Sequence, residues 1–159
     1  MKDYREMTNN AKHIFHNNYT THLIDNANNT IVTEYNVFPG IKLIYNNIHI
    51  EHCNLITLPP GDYIEINHCY DGRLEREFKD GFFYLMPGDL SIERKNEFNT
   101  KSYFPLSHYH GITILIDIDN APKSLSYFLN DINVDPAIIT KNFCSNDNYF
   151  ISRSNQYIE

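Results

Sequence analysis

The sequence predicts a mainly β protein, a closed or sandwiched barrel followed by short C-terminal α-helices. Three observations carry that expectation. From Thr30 to Asp119, apolar residues recur with the period of two that a half-buried strand requires. Turn chemistry at Pro39-Gly40, Pro59-Pro60-Gly61-Asp62 and Pro87-Gly88-Asp89 punctuates that run. Beyond Asp119 the apolar spacing becomes helical.

The elements follow in order. Residues 1–29 read as an irregular polar arm in which Ala11 to His16 could form a helical turn. Ile31, Thr33, Tyr35 and Val37 alternate as one strand, and Pro39-Gly40 turns the chain into Ile41–Tyr45. Ile48 to Leu58 and Tyr63 to Tyr70 make a second pair across Pro59-Pro60-Gly61-Asp62, a stretch no central strand can hold. Arg73 to Phe78 leads through Lys79-Asp80-Gly81 to Phe82–Met86, and the Pro87-Gly88-Asp89 turn leads to Leu90-Ser91-Ile92. Glu93 to Thr100 reads as a charged loop, followed by Ser102-Tyr103-Phe104 and a long strand from His108 to Ile118. Residues 30–119 therefore form the barrel, and 120–159 form a C-terminal helical segment of the same domain.

In that segment Leu125, Phe128, Leu129 and Ile132 recur at helical spacing after Ala121-Pro122. Asp135-Pro136 places an N-cap acid before a proline at the first helical position. Tyr149-Phe150-Ile151 could add a strand. Ser154 could cap a helix that reaches Glu159 without a stop signal, so a further region is expected to follow.

Composition sets the outer limits. A chain of 159 residues fits one domain, and 42% hydrophobic with 21% charged residues argues against general disorder. The formal charge of -7 argues that this chain alone does not grip nucleic acid, which demands clustered Lys and Arg. Cys53, Cys69 and Cys144 form no C-x-x-C pair and leave an odd count, which fits reduced thiols in a cytoplasmic protein. No signal peptide or membrane span is expected. No Ser-His-Asp spacing, phosphate-cradling glycine loop or zinc cysteine pattern is present.

The strand-rich first two-thirds, the Pro87-Gly88-Asp89 turn and the C-terminal helices together resemble the cupin-like regulatory domain of AraC-type transcription regulators. Two phrases carry the resemblance further: Glu65-Ile66-Asn67-His68-Cys69-Tyr70-Asp71-Gly72-Arg73-Leu74-Glu75 and Phe104-Pro105-Leu106-Ser107-His108-Tyr109-His110-Gly111-Ile112. The resemblance implies a cupin-like jelly-roll barrel that senses a small molecule and a helical segment that forms a homodimer. It also implies DNA binding through a helix-turn-helix region that lies outside this chain. Catalytic cupins, which resemble this barrel, hold a metal on a His-x-His pair, a following Glu and a later His. Counted from Gly61, those positions fall on Asn67 and Cys69, near Arg73 or Leu74, and near Glu97 or Phe98. No cofactor and no metal are expected from that count.

The candidate ligand-binding residues are Glu65, Asn67, His68, His108 and His110. His108 and His110 lie two apart on a strand and project to one side with Leu106, Ile112, Ile114 and Ile116, a placement expected to point inward. Burial of Ile64 and Ile66 would turn Glu65, Asn67 and Cys69 to solvent, whereas the cupin count turns them into the lumen. Both hold if the barrel covers one face and the helices the other. Arg73, Glu75, Arg76 and Glu77 read as an exposed, soluble hairpin edge. The expected function is non-catalytic effector sensing and dimerisation. The alternatives are a metal-dependent cupin enzyme using His108 and His110, and a stand-alone structural or storage cupin.

Overall fold

The computed structural model describes residues 13–16, 20–25, 29–53, 59–78, 81–95, 102–123, 135–145 and 148–153. Its strands are β1 (His13–His16), β2 (Thr20–Asp25), β3 (Thr30–Phe38), β4 (Ile41–Ile48), β5 (His52–Cys53) and β6 (Tyr63–Gly72). They continue as β7 (Leu74–Phe78), β8 (Gly81–Leu85), β9 (Leu90–Lys95), β10 (Ser102–Tyr103), β11 (Tyr109–Asp117) and β12 (Tyr149–Ser152). One helix, α1 (Pro136–Phe143), lies between β11 and β12.

All described pairings are antiparallel, in two sheets ordered β1-β2-β3-β4-β11-β6-β9-β12 and β5-β10-β7-β8. Strands β4 to β11 pass from one sheet to the other at each step except the β7-β8 hairpin, so that β4-β11-β6-β9 forms one layer and β5-β10-β7-β8 the other. This double Greek-key order is that of a jelly roll. The expected mainly β jelly-roll barrel is therefore the observed fold.

Three local expectations change. The arm contributes β1 and β2 to the larger sheet, where an irregular segment with a helical turn at 11–16 was expected. Thr20–Asp25 alternates little in polarity, so its pairing with β3 rather than its own pattern makes it a strand. Strand β4 runs on through Ile48, and the chain changes sheet at 49–51. Strand β9 continues through Glu93-Arg94-Lys95, because these charges pair with β6 instead of facing a loop. The helix expected around Leu125, Phe128, Leu129 and Ile132, the helix after Ser154 and residues 54–58 lie outside the described residues.

Each local device has a visible cause. Asp135 accepts a hydrogen bond from the Ala137 amide at 2.8 Å, capping α1 with Pro136 at its first turn. Asp62, in the Pro-Pro-Gly-Asp turn, accepts a bidentate pair from Arg94 at 2.9 and 2.5 Å, tying that turn to β9. Gly72 ends β6 with φ of 82°, and a Cβ there would lie 2.2 Å from the His108 carbonyl oxygen.

Two apolar clusters sandwich the larger sheet. Val32, Ile44, Ile48, Cys69, Tyr109 and Leu115 face Leu74, Phe83 and Leu85 across the barrel interior. Ile41, Ile64, Ile92 and Ile116 lie on the opposite face, where Ile139 of α1 and Cys144 cover them. The sheet is thus covered on both sides, as the ambiguous alternation of β6 allowed.

Candidate functional site

Strands β6 and β9 pair as Glu65 with Glu93, Ile66 with Ile92, and Asn67 with Ser91. Because side chains alternate across a strand, the register gathers isoleucines on the outer face and polar groups on the inner one. Two carboxylates thereby stand side by side in the barrel, each about 1% exposed. Uncompensated, that arrangement would be prohibitive.

Arg76 resolves it. It projects from β7 in the opposite sheet and is only 4% exposed. One guanidinium nitrogen reaches Glu65 Oε1 at 2.5 Å, and another donates to both Glu93 oxygens at 2.9 and 3.0 Å. Its Nε donates to Ser102 Oγ at 3.2 Å. Lys95 closes the group with an ion pair to Glu65 Oε2. The expectation of an exposed edge is therefore corrected for Arg76; Glu77 faces outward, and Arg73 and Glu75 are half-buried and pair with each other at 2.6 Å.

Neutral groups complete the network. Asn67 Nδ2 donates to Glu65 Oε1 at 2.8 Å and more weakly to Ser91 Oγ and Glu93 Oε1, both at 3.4 Å. Its carbonyl oxygen accepts from Thr113 Oγ1 at 2.7 Å, and Thr113 in turn accepts from Asn46 Nδ2 at 2.9 Å. The Tyr109 hydroxyl is the exception: it is buried without a hydrogen-bond partner among the described residues.

Four groups of the interior, Glu65, Arg76, Cys69 and Tyr109, are displaced from their ordinary titration. Burial disfavours the Glu65 charge, but Arg76 and Lys95, with hydrogen bonds from Lys95 and Asn67, outweigh it and hold the carboxyl well below the usual range. Burial likewise opposes the Arg76 charge, and Glu65 and Glu93 more than restore it. Burial, aided by Asp89 and Asp71, raises the Cys69 thiol to about 12. The Tyr109 phenol is pushed far above its ordinary value, chiefly by burial. Carboxylate, guanidinium, thiol and phenol each keep one form at neutral pH, where general acid–base catalysis needs a group poised to change.

Of the five sequence candidates, Glu65 and Asn67 join this network. His68 lies half-buried on the outer face, and its Nε2 is buried without a partner among the described residues. His108 and His110 do not point inward as expected. Strand β11 alternates the other way, with Tyr109, Thr113 and Leu115 buried and His110 exposed. His108 bonds Asp71 at 2.9 Å and its ring lies 5.0 Å from that of His49, while the His110 ring lies 5.6 Å from Tyr70. Isoleucine content misassigned the faces, because the outer face of this sheet is apolar too.

Arg76, Ser91, Glu93, Lys95, Tyr109 and Thr113 were missed. A signal existed for most of them. Leu74 and Arg76 are two apart on one strand, and Ser91 and Glu93 repeat the alternation of Glu65 and Asn67. Among the described residues no group of three or more His, Cys, Asp or Glu side chains is arranged to hold a metal ion. Outside the smaller sheet a separate groove of about 540 Å³ is lined by residues that include Glu51, Glu77, Phe82 and Tyr103.

No family model matches the sequence, and no curated protein matches it. Solved structures similar to the chain include the AraC-like transcriptional activator CuxR, at 7% identity and a TM-score of 0.43, covering 64% of this chain and 40% of that one. A variant of the Bacillus subtilis oxalate decarboxylase OxdC is similar at 12% identity and a TM-score of 0.38, covering 92% of this chain and 41% of that one. An HTH_3 family transcriptional regulator from Vibrio cholerae is similar at 14% identity and a TM-score of 0.39, covering 58% and 53%. The chain spans about half, or less, of the length of these structures. Regulators and an enzyme stand side by side among the similar structures.

Proposed function

We propose that this chain is the effector-sensing and dimerisation domain of a cytoplasmic AraC-type transcription regulator. It binds a small molecule in the barrel without transforming it, and DNA is bound by a helix-turn-helix region outside these residues. The observation that carries the reading is the Arg76 clasp. Both inner carboxylates are already paired, and Glu65 is held ionised, so the interior suits recognition better than proton transfer or metal ligation.

A guest acts as a signal only if it binds one arrangement of the domain better than another. The connections support such a route. Ser91 and Glu93 lie on β9, which also carries β12. Arg153, beyond β12, bonds Asp89 at 2.5 Å and the Tyr84 carbonyl at 3.0 Å, so a shift of β9 bears on the segment where the chain continues. On the outer face of β3, β4 and β11, the exposed Ile31, Tyr35, Val37, Tyr45 and Ile114 support self-association.

The test combines three measurements. A thermal-shift screen of metabolite classes should yield a binder, mass spectrometry should recover that binder unchanged, and the coding sequence after Glu159 should continue in frame into a helix-turn-helix region. Turnover of the binder, or a stop codon directly after Glu159, contradicts the proposal.

A further inference from the structure

The groove outside the smaller sheet takes no part in the buried network. At about 540 Å³ it lies within the range of roughly 300–1,000 Å³ usual for small-ligand sites. The sheet order explains its walls. Side chains alternate across a strand, so β7 turns Leu74 and Arg76 inward and presents Glu75 and Glu77 on its outer face. In the order β5-β10-β7-β8, Tyr103 of β10 stands opposite Glu75 and Phe82 of β8 opposite Glu77. Two carboxylates therefore form a floor between two aromatic walls. Glu51, just before β5, adds a third carboxylate on the far side of Tyr103.

Charge and ring chemistry favour the same guest. Among the described residues the lining holds neither Lys nor Arg. Arg73 donates to Glu75 Oε1 at 2.6 Å, but its guanidinium lies outside the lining, over Tyr84 and 4.4 Å from that ring's centroid. Glu51 and Glu77 are exposed and make no ion pair among the described residues. Phe82 is 71% exposed and offers a large ring to whatever enters. Ring quadrupoles and carboxylates both attract a cation, whereas an anion would meet three like charges. A neutral guest would gain from the rings alone.

We propose that this groove binds a small organic cation, an alkylammonium whose charged head sits between Glu75 and Glu77 and whose carbon substituents stack on Phe82 and Tyr103. The site is separate from the barrel interior, so the proposal goes beyond the reading above and does not depend on it.

The test is isothermal titration of the whole chain at low ionic strength. The probes are choline and butylammonium, the uncharged choline isostere 3,3-dimethylbutan-1-ol, and the anion 3,3-dimethylbutanoate. Both cations should bind and neither isostere should. Added salt should weaken the cations, because the carboxylates lie at the surface. Phe82→Ala and Glu77→Gln should each weaken choline roughly two- to fivefold, the effect of one exposed ring contact or one surface charge. Glu75→Gln combined with Glu77→Gln should weaken it roughly tenfold or more. Phe82 and Glu77 are exposed, so their variants should keep the parental melting temperature. Asp119→Asn, which removes an exposed acid outside the groove, should bind as the parent does.

Equal binding of the uncharged alcohol overturns the proposal, because charge then plays no part in selecting the guest. Choline binding left at parental strength by both Phe82→Ala and Glu77→Gln also overturns it, since the cation then sits elsewhere. Absence of binding by both cations at millimolar concentration does the same. None of these outcomes bears on the barrel reading, which is decided by the fate of its own binder and by the coding sequence after Glu159.

Discussion

The two faces of strand β6 carry opposite chemistry, and both are buried at their centre. On the outer face, Ile64 and Ile66 meet Ile92, Ile116 and Ile139 in an ordinary apolar layer. On the inner face, Glu65 and Asn67 stand among Glu93, Arg76, Lys95 and Ser91. The oily face looks away from the barrel and the charged one into it. Burial alone therefore does not mark the inside of this molecule. The second layer does: α1 covers one face, and Arg76 reaches across from the smaller sheet to the other.

The two faces should fail differently, and the largest difference lies on the inner one. Arg76→Met removes the cation between two buried carboxylates and should cost about 3–5 kcal/mol in urea unfolding. Adding Glu65→Leu and Glu93→Leu to that variant should recover most of the loss, because no uncompensated charge then remains. A loss below roughly 1 kcal/mol for Arg76→Met, as for a surface pair, would show that the clasp is solvated.

Acid should act on the inner face next. The folded pKa of Glu65 lies below its unfolded value, so its contribution is complete above the unfolded value. That contribution fades as pH falls through the ordinary carboxylate range towards the folded value. Unfolding measured against pH should therefore show an acid limb, shallower in Glu65→Gln and unchanged in Ile64→Val. An acid limb of equal slope in all three would remove Glu65 from the account.

Outer-face substitutions should behave as simple packing changes. Ile64→Val should cost about 0.5–1.5 kcal/mol, independent of pH. The smallest effect is expected at His110, which is exposed at the start of β11. His110→Ala should change stability by less than about 0.5 kcal/mol and leave ligand-induced stabilisation intact. Loss of ligand-induced stabilisation there would return His110 to the binding site.

Much of this comparison could be read in the sequence, and its limits are physical. The period-two alternation of Ile64 to Cys69 separated the faces of β6, and the Pro-Gly turns placed most strand ends. Glu65 and Asn67 were reachable because position in a jelly roll overrode their polarity. Alternation cannot say which face is the lumen when both are covered, and that ambiguity turned His108 and His110 the wrong way. Arg76 was legible only in relation to Leu74, since a charge on a hairpin strand ordinarily faces water. Its partners come from 17 residues away for Glu93 and from another strand of the opposite sheet for Glu65, so only the stacked sheets reveal the clasp. His13–His16 and Thr20–Asp25 became strands through pairing, β1 with β2 and β2 with β3, a tertiary influence that their own pattern does not announce.

The central claim is that Arg76 and Lys95 hold the buried Glu65 carboxyl in its ionised form. A carbon-detected NMR titration of the Glu65 side-chain carboxyl tests it most directly. The resonance should stay at its ionised position throughout the ordinary carboxylate range, until the protein itself unfolds in acid. A titration with an ordinary glutamate midpoint in the folded protein would contradict the account.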